Sequence, residues 1–99
     1  MKLNELLQSN RKEILSCYEL MRETTDIEKK LKLCANIEYY LNEVKKVRHA
    51  YLTLKLHGLL SEKTFEKYDD DIAQFNMNLS RVMSKVYMIQ DEYSKQKEN

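Results

Sequence analysis

Proline is absent and glycine occurs once in 99 residues, where average usage would supply about five and about seven. Sheet proteins need turn residues every few positions, whereas long helices exclude proline because it removes a backbone hydrogen bond and clashes with the preceding turn. The deficit excludes a strand-rich fold and predicts an all-α chain. No apolar run approaches the roughly 20 residues of a membrane span, and the opening MKLNELLQSN lacks the continuous apolar region of a signal peptide. A cytoplasmic, non-membrane protein is expected.

Charge of one sign is missing too: 17 basic residues face 16 acidic ones, a net charge of +1, so no global field attracts polyanions. The two cysteines, Cys17 and Cys34, are too few and too far apart for a zinc motif and are read as thiols. They fall at similar depths on two neighbouring predicted helices. A chain this short has room for one core, so residues 1–99 are expected to form a single helical domain. Folding at this size hides only about 60–65% of the unfolded surface, and association with a partner would add buried area.

Apolar spacing locates three helices. The first, about residues 4–23, carries Leu3, Leu7, Ile14, Cys17 and Met21 on one face, interrupted by Asn10. The second, about 26–57, carries Ile27, Leu31, Cys34, Ile37, Leu41, Val44, Val47, Tyr51 and Leu54, flanked by Leu33, Tyr40 and Leu56. Thr25 and Glu28 have capping-box spacing before it, and Gly58 can end it in the left-handed conformation. Ser61 reads as the next N-cap. The third helix, about 61–95, places Phe65, Tyr68, Ile72, Phe75, Leu79, Val82, Val86, Ile89 and Tyr93 in alternating steps of three and four. A sustained repeat of this kind keeps a seam against a neighbour along its whole length. The expected architecture is an antiparallel three-helix bundle with a long, coiled-coil-like hairpin between the second and third helices.

The first helix is shorter than that hairpin, so part of the seam is expected to stay uncovered. Met77, Val82, Met83, Val86, Tyr87, Met88 and Ile89 mark the expected contact face on the third helix. Methionines at 77, 83 and 88 give it an adaptable surface. Tyr39 and Tyr40 are adjacent, so one of them is expected to be exposed.

A second surface is basic. No acid occurs from Val44 to Ser61, while Lys45, Lys46, Arg48 and Lys55 are cations and His49 and His57 can join them. Such residues suit an anion or a nucleic-acid backbone. Glu62, Glu66, Asp69, Asp70 and Asp71 follow at the same end and offset that charge. The three consecutive aspartates point about 100° apart on a helix and do not converge on a metal ion.

Arg48-His49-Ala50-Tyr51-Leu52-Thr53 resembles the phosphoacceptor box of one class of sensor histidine kinases and related sporulation phosphotransferases, written R-H-D-aromatic-x-N. The resemblance rests on Arg48, His49 and Tyr51; Ala50 and Thr53 stand where the family places Asp and Asn. It implies phosphotransfer through His49, without the acidic neighbour.

No nucleophile–base pair or phosphate loop can be drawn from a chain so poor in turning residues. Neither catalysis, a cofactor nor a metal is expected. The leading expectation is a non-enzymatic protein–protein interaction module, an adaptor, inhibitor or assembly subunit, which binds another protein or itself as a homodimer. A nucleic-acid-associated regulator using the basic end of the second helix is the alternative, and phosphotransfer through His49 the third.

Overall fold

A computed structural model describes residues 2–98, with side chains through residue 96; residues 1 and 99 of the expected single domain lie outside the described residues. The described chain is all-helical: α1 (Leu3–Glu23), α2 (Ile27–Leu56), α3 (Glu62–Asn78) and α4 (Ser80–Glu98). Four helices replace the three expected.

The helix ends follow local chemistry. Asp26, rather than Thr25, caps α2: its carboxylate Oδ1 accepts the Glu28 N–H at 3.0 Å, while its own N–H donates to Thr24 Oγ1 at 3.3 Å. The expected Thr25–Glu28 box gives way because Asp26 reaches the second free amide of the helix with a charged acceptor, which also suits the positive end of the helix dipole. Ser61 caps α3 as its sequence position indicates, accepting the Thr64 N–H at 3.2 Å. Gly58 has φ of 74°, the one positive φ among the described residues. Two bonds close the end of α2 around it, Leu59 N–H to Leu54 O at 2.8 Å and Gly58 N–H to Lys55 O at 3.0 Å. This pair is the Schellman pattern, which a left-handed residue makes possible.

The expected third helix is divided at Leu79, where φ of −104° and ψ of 9° leave the helical region. The Leu79 N–H bonds three residues back to Asn76 O at 3.2 Å, and the ladder resumes with Met83 N–H to Leu79 O at 3.0 Å. Asn76, Asn78 and Ser80 surround the break, and such side chains compete with the helix for backbone hydrogen bonds. The apolar repeat nevertheless runs through the interruption, since Phe75, Leu79 and Val82 are all buried.

α2 touches α1, α3 and α4, and α1 also meets α3. That central position explains why α2 carries apolar residues around a wide arc. Contacts define directions: Asn10 meets Tyr40 and Met21 meets Cys34, so α1 runs opposite to α2. Arg48–Asp69, Tyr51–Tyr68 and Glu38–Gln90 place α3 and α4 opposite to α2 as well. Ile14, Met21, Cys34, Ile37, Val44, Leu79 and Val86 are the most fully buried side chains, and the core draws on all four helices. The shape is elongated, 52 × 26 × 18 Å.

α1 begins beside Tyr51 and Tyr68, for Lys2, Leu3 and Asn4 line one groove with Tyr51, Lys67, Tyr68 and Asp71. Its far end lies beside Arg81, Lys85 and Ile89. The last turns of α2 and first turns of α3 therefore project beyond α1 by about six residues, roughly 9 Å at helical rise. The Gly58 end is thus one stretch that α1 leaves uncovered, and α4, which runs to Glu98, also continues past Ile89, the residue beside the far end of α1.

Candidate interaction surfaces

The expected contact face on the third helix separates into three groups. Val82, Val86 and Ile89 are 4%, 1% and 5% exposed and belong to the core, so they do not form part of an outer face. Their seam is satisfied within the chain, because α1 and α2 both flank α4. Met83 is half-buried and packs on the core. Only Met77, Tyr87 and Met88 are exposed, at 69%, 56% and 55%. Tyr87 borders α2, sharing a groove with Glu38, Leu41, Asn42, Lys45 and Met83. Met88 is one residue and about 100° further round α4, so the two do not merge into one patch.

Three leucines close in sequence are exposed at the Gly58 end. Leu54, Leu56 and Leu59 are 39%, 75% and 75% exposed within six residues of sequence. At the same end Phe65 is buried, with the Lys55 ammonium 4.8 Å from its ring centroid. The sequence signal was available: apolar residues stand on both sides of a helix-ending glycine, where the turn cannot bury them all. Tyr39 is the exposed member of its pair and Tyr40 is half-buried, their rings meeting edge to face at 5.3 Å.

The basic stretch of α2 is partly occupied. Lys46 pairs with Glu43 at 3.2 Å, Arg48 Nε with Asp69 Oδ1 at 2.6 Å, and Lys55 covers Phe65. Lys45, His49 and His57 are exposed. The Arg48–Asp69 pair realises the cross-hairpin compensation expected from the acidic start of α3. Within the kinase-like box, Thr53 Oγ1 donates to the His49 carbonyl at 3.0 Å, so the hydroxyl is turned to the backbone one helical turn below.

Both cysteines are free. Cys34 is buried and its thiol donates to Met21 Sδ at 3.5 Å; Cys17 is half-buried. Burial, reinforced by Glu13 for Cys17 and Glu38 for Cys34, pushes both thiols above their ordinary range. Protonated thiols are poor nucleophiles.

Sequence reasoning missed a groove of about 530 Å³ at the opposite end of the molecule, lined by Tyr18, Met21 and Arg22 of α1, Lys30 of α2, and Arg81, Lys85 and Ile89 of α4. Its four cations are scattered over sixty residues of sequence, so no local pattern announces them. Among the described residues no group of three or more His, Cys, Asp and Glu side chains is placed to hold a metal ion, and no helix is long and apolar enough to cross a membrane. No protein family, curated protein or solved structure was found to match this chain.

Proposed function

We propose that this chain is a small helical protein–protein interaction module, an adaptor, inhibitor or assembly subunit that acts without catalysis. The observation that carries the reading is the exposure of Leu54, Leu56 and Leu59 on a hairpin end that α1 does not reach. Apolar side chains clustered at a rim mark contact sites more often than those scattered singly. Tyr39, Tyr87 and Met88 extend the apolar surface elsewhere. Thiols held protonated by burial also favour structure over covalent chemistry.

The same proposal takes α3 and α4 as one interrupted helix in an antiparallel three-helix bundle, residues 1–99 forming a single domain. The opposed contacts of α2 with α3 and α4, and one core shared by all four helices, support it. A cytoplasmic location fits two unpaired thiols.

The first partner to test is a second copy. Light scattering over a concentration series, in low and high salt, compares the wild type with Leu56→Glu/Leu59→Glu. A mass above the 11.9 kDa protomer that ignores salt and vanishes in the variant is the expected result, since apolar contacts are insensitive to screening. A monomer at every concentration overturns homodimer formation. Self-association unaffected by the double substitution overturns the assignment to the Gly58 end.

A further inference from the structure

The groove between the C-terminal end of α1, the start of α2 and the first half of α4 is built differently from the rest of the surface. Arg22, Lys30, Arg81 and Lys85 converge on it from three helices, and among the described residues no carboxylate lines it. The chain holds 16 acids, yet the ion pairs among the described residues lie elsewhere: Lys46–Glu43, Arg48–Asp69 and Lys95–Asp91. Among the described residues, Glu19, Glu23, Asp26 and Glu28, the acids nearest in sequence to Arg22 and Lys30, and Asp91, the nearest to Lys85, form no ion pair with the four cations. Arg81 and Lys85 stand one turn apart on α4, a like-charge spacing that costs helix stability in the absence of a counter-charge. Arg22 has its guanidinium carbon 5.9 Å from the Tyr18 ring centroid, within the range where the ring face attracts a cation. Met21 and Ile89, both buried, form the apolar floor.

We propose that this groove binds a small phosphate-bearing molecule carrying at least two negative charges. Two guanidinium groups offer planar, paired donors suited to phosphate oxygens, and two ammonium groups add compact positive charge. The volume of about 530 Å³ lies within the roughly 300–1,000 Å³ of sites that hold small molecules. The site is independent of the Gly58 end and does not rest on the interaction proposed there.

Titration of the ¹⁵N-labelled chain with sodium pyrophosphate, followed by amide shifts, tests the site. Inorganic phosphate, hexaglutamate and sodium chloride at matched ionic strength form parallel arms. The expected result is saturable movement at Tyr18, Arg22, Lys30, Arg81 and Lys85, with pyrophosphate tighter than phosphate and hexaglutamate weaker than both. Arg81→Gln/Lys85→Gln should weaken pyrophosphate by at least roughly tenfold, since a single lost charged hydrogen bond is worth about that factor. Lys45→Gln/His49→Gln on the far basic surface should leave it unchanged. Arg81 and Lys85 are exposed and make no ion pair among the described residues, so the variant retains its helical circular dichroism. Movement reproduced by sodium chloride, or undiminished in Arg81→Gln/Lys85→Gln, overturns the site. Equal or tighter binding of hexaglutamate overturns the phosphate assignment.

Discussion

Asn10 is the buried polar side chain of the core, 6% exposed, and its Nδ2 donates to the Tyr40 carbonyl of α2 at 3.2 Å. Replacing it with leucine sets two effects against each other. Tyr40 lies inside α2, where its carbonyl also accepts a helical N–H, so removing the amide strands no acceptor. The lost hydrogen bond therefore costs about 1 kcal/mol. Burial of a leucine contributes about 1.5–3 kcal/mol, less about 1 kcal/mol for fitting a larger side chain. The balance for Asn10→Leu lies between a loss of about 0.5 and a gain of about 1 kcal/mol, and a change of 1 kcal/mol at this chain length moves the melting temperature by about 4–8 °C. Asn10→Ala loses the hydrogen bond and fills nothing, so it should fall by about 1–2 kcal/mol. Urea melts followed by circular dichroism measure both, read as midpoint shifts at constant slope. A loss of more than about 1 kcal/mol in Asn10→Leu, matching Asn10→Ala, would refute the reasoning, because the amide would then be indispensable where the geometry makes it replaceable. The amide's remaining role is to fix where α1 sits along α2. Broadened amide signals in Asn10→Leu are its expected signature.

Gly58→Ala should destabilise by about 1–2 kcal/mol, all of it from the left-handed backbone, because the added Cβ meets nothing within 4 Å; an unchanged denaturation midpoint would contradict this. A thiol reagent should modify half-buried Cys17 before buried Cys34, with Cys34 labelling at the rate at which the core opens; equal rates would refute its burial. Each raised thiol pKa favours the protonated native state, so the stability it contributes is complete below the ordinary value of 9.0 and is lost as pH rises above it. Replacing both cysteines with alanine should flatten that alkaline decline. Val82→Glu puts an unpaired charge into a core site 4% exposed and should cost more than about 3 kcal/mol, whereas Tyr87→Glu, on the surface, should change stability by less than about 0.5 kcal/mol. Thermal melts of the two variants settle the comparison.

The helical class was legible from the missing proline, and Gly58 and Ser61 act as their residue types indicate. Phe65, Ile72, Phe75, Leu79, Val82, Val86 and Ile89 are buried as their spacing implies. The interruption at Leu79 was harder to see, because the apolar repeat passes through it; only Asn76, Asn78 and Ser80 mark the change. The candidate surface was less legible than the fold. Periodicity identifies Val82, Val86 and Ile89 as a seam but does not say whether the covering helix belongs to the same chain. Leu54 and Leu56 fit a helical stripe equally well whether or not α1 reaches them. The basic groove depends on which ends of three helices lie side by side, a property of tertiary register that no short window of sequence contains.

The projection of α2 and α3 beyond α1 also grades the molecule in stability along its long axis. Beyond Tyr51 and Tyr68, two helices hold each other with few buried partners, whereas towards Met21 and Cys34 three helical segments share one core. Local opening is cheapest where buried contacts are fewest. Amide hydrogens of residues 52–67 should therefore exchange through partial separation of the hairpin end, while those around Ile37 and Val86 wait for global unfolding. The segment that displays its leucines is thus also one whose order a partner can increase, so binding there would register as slowed exchange at an end that opens readily in the free chain.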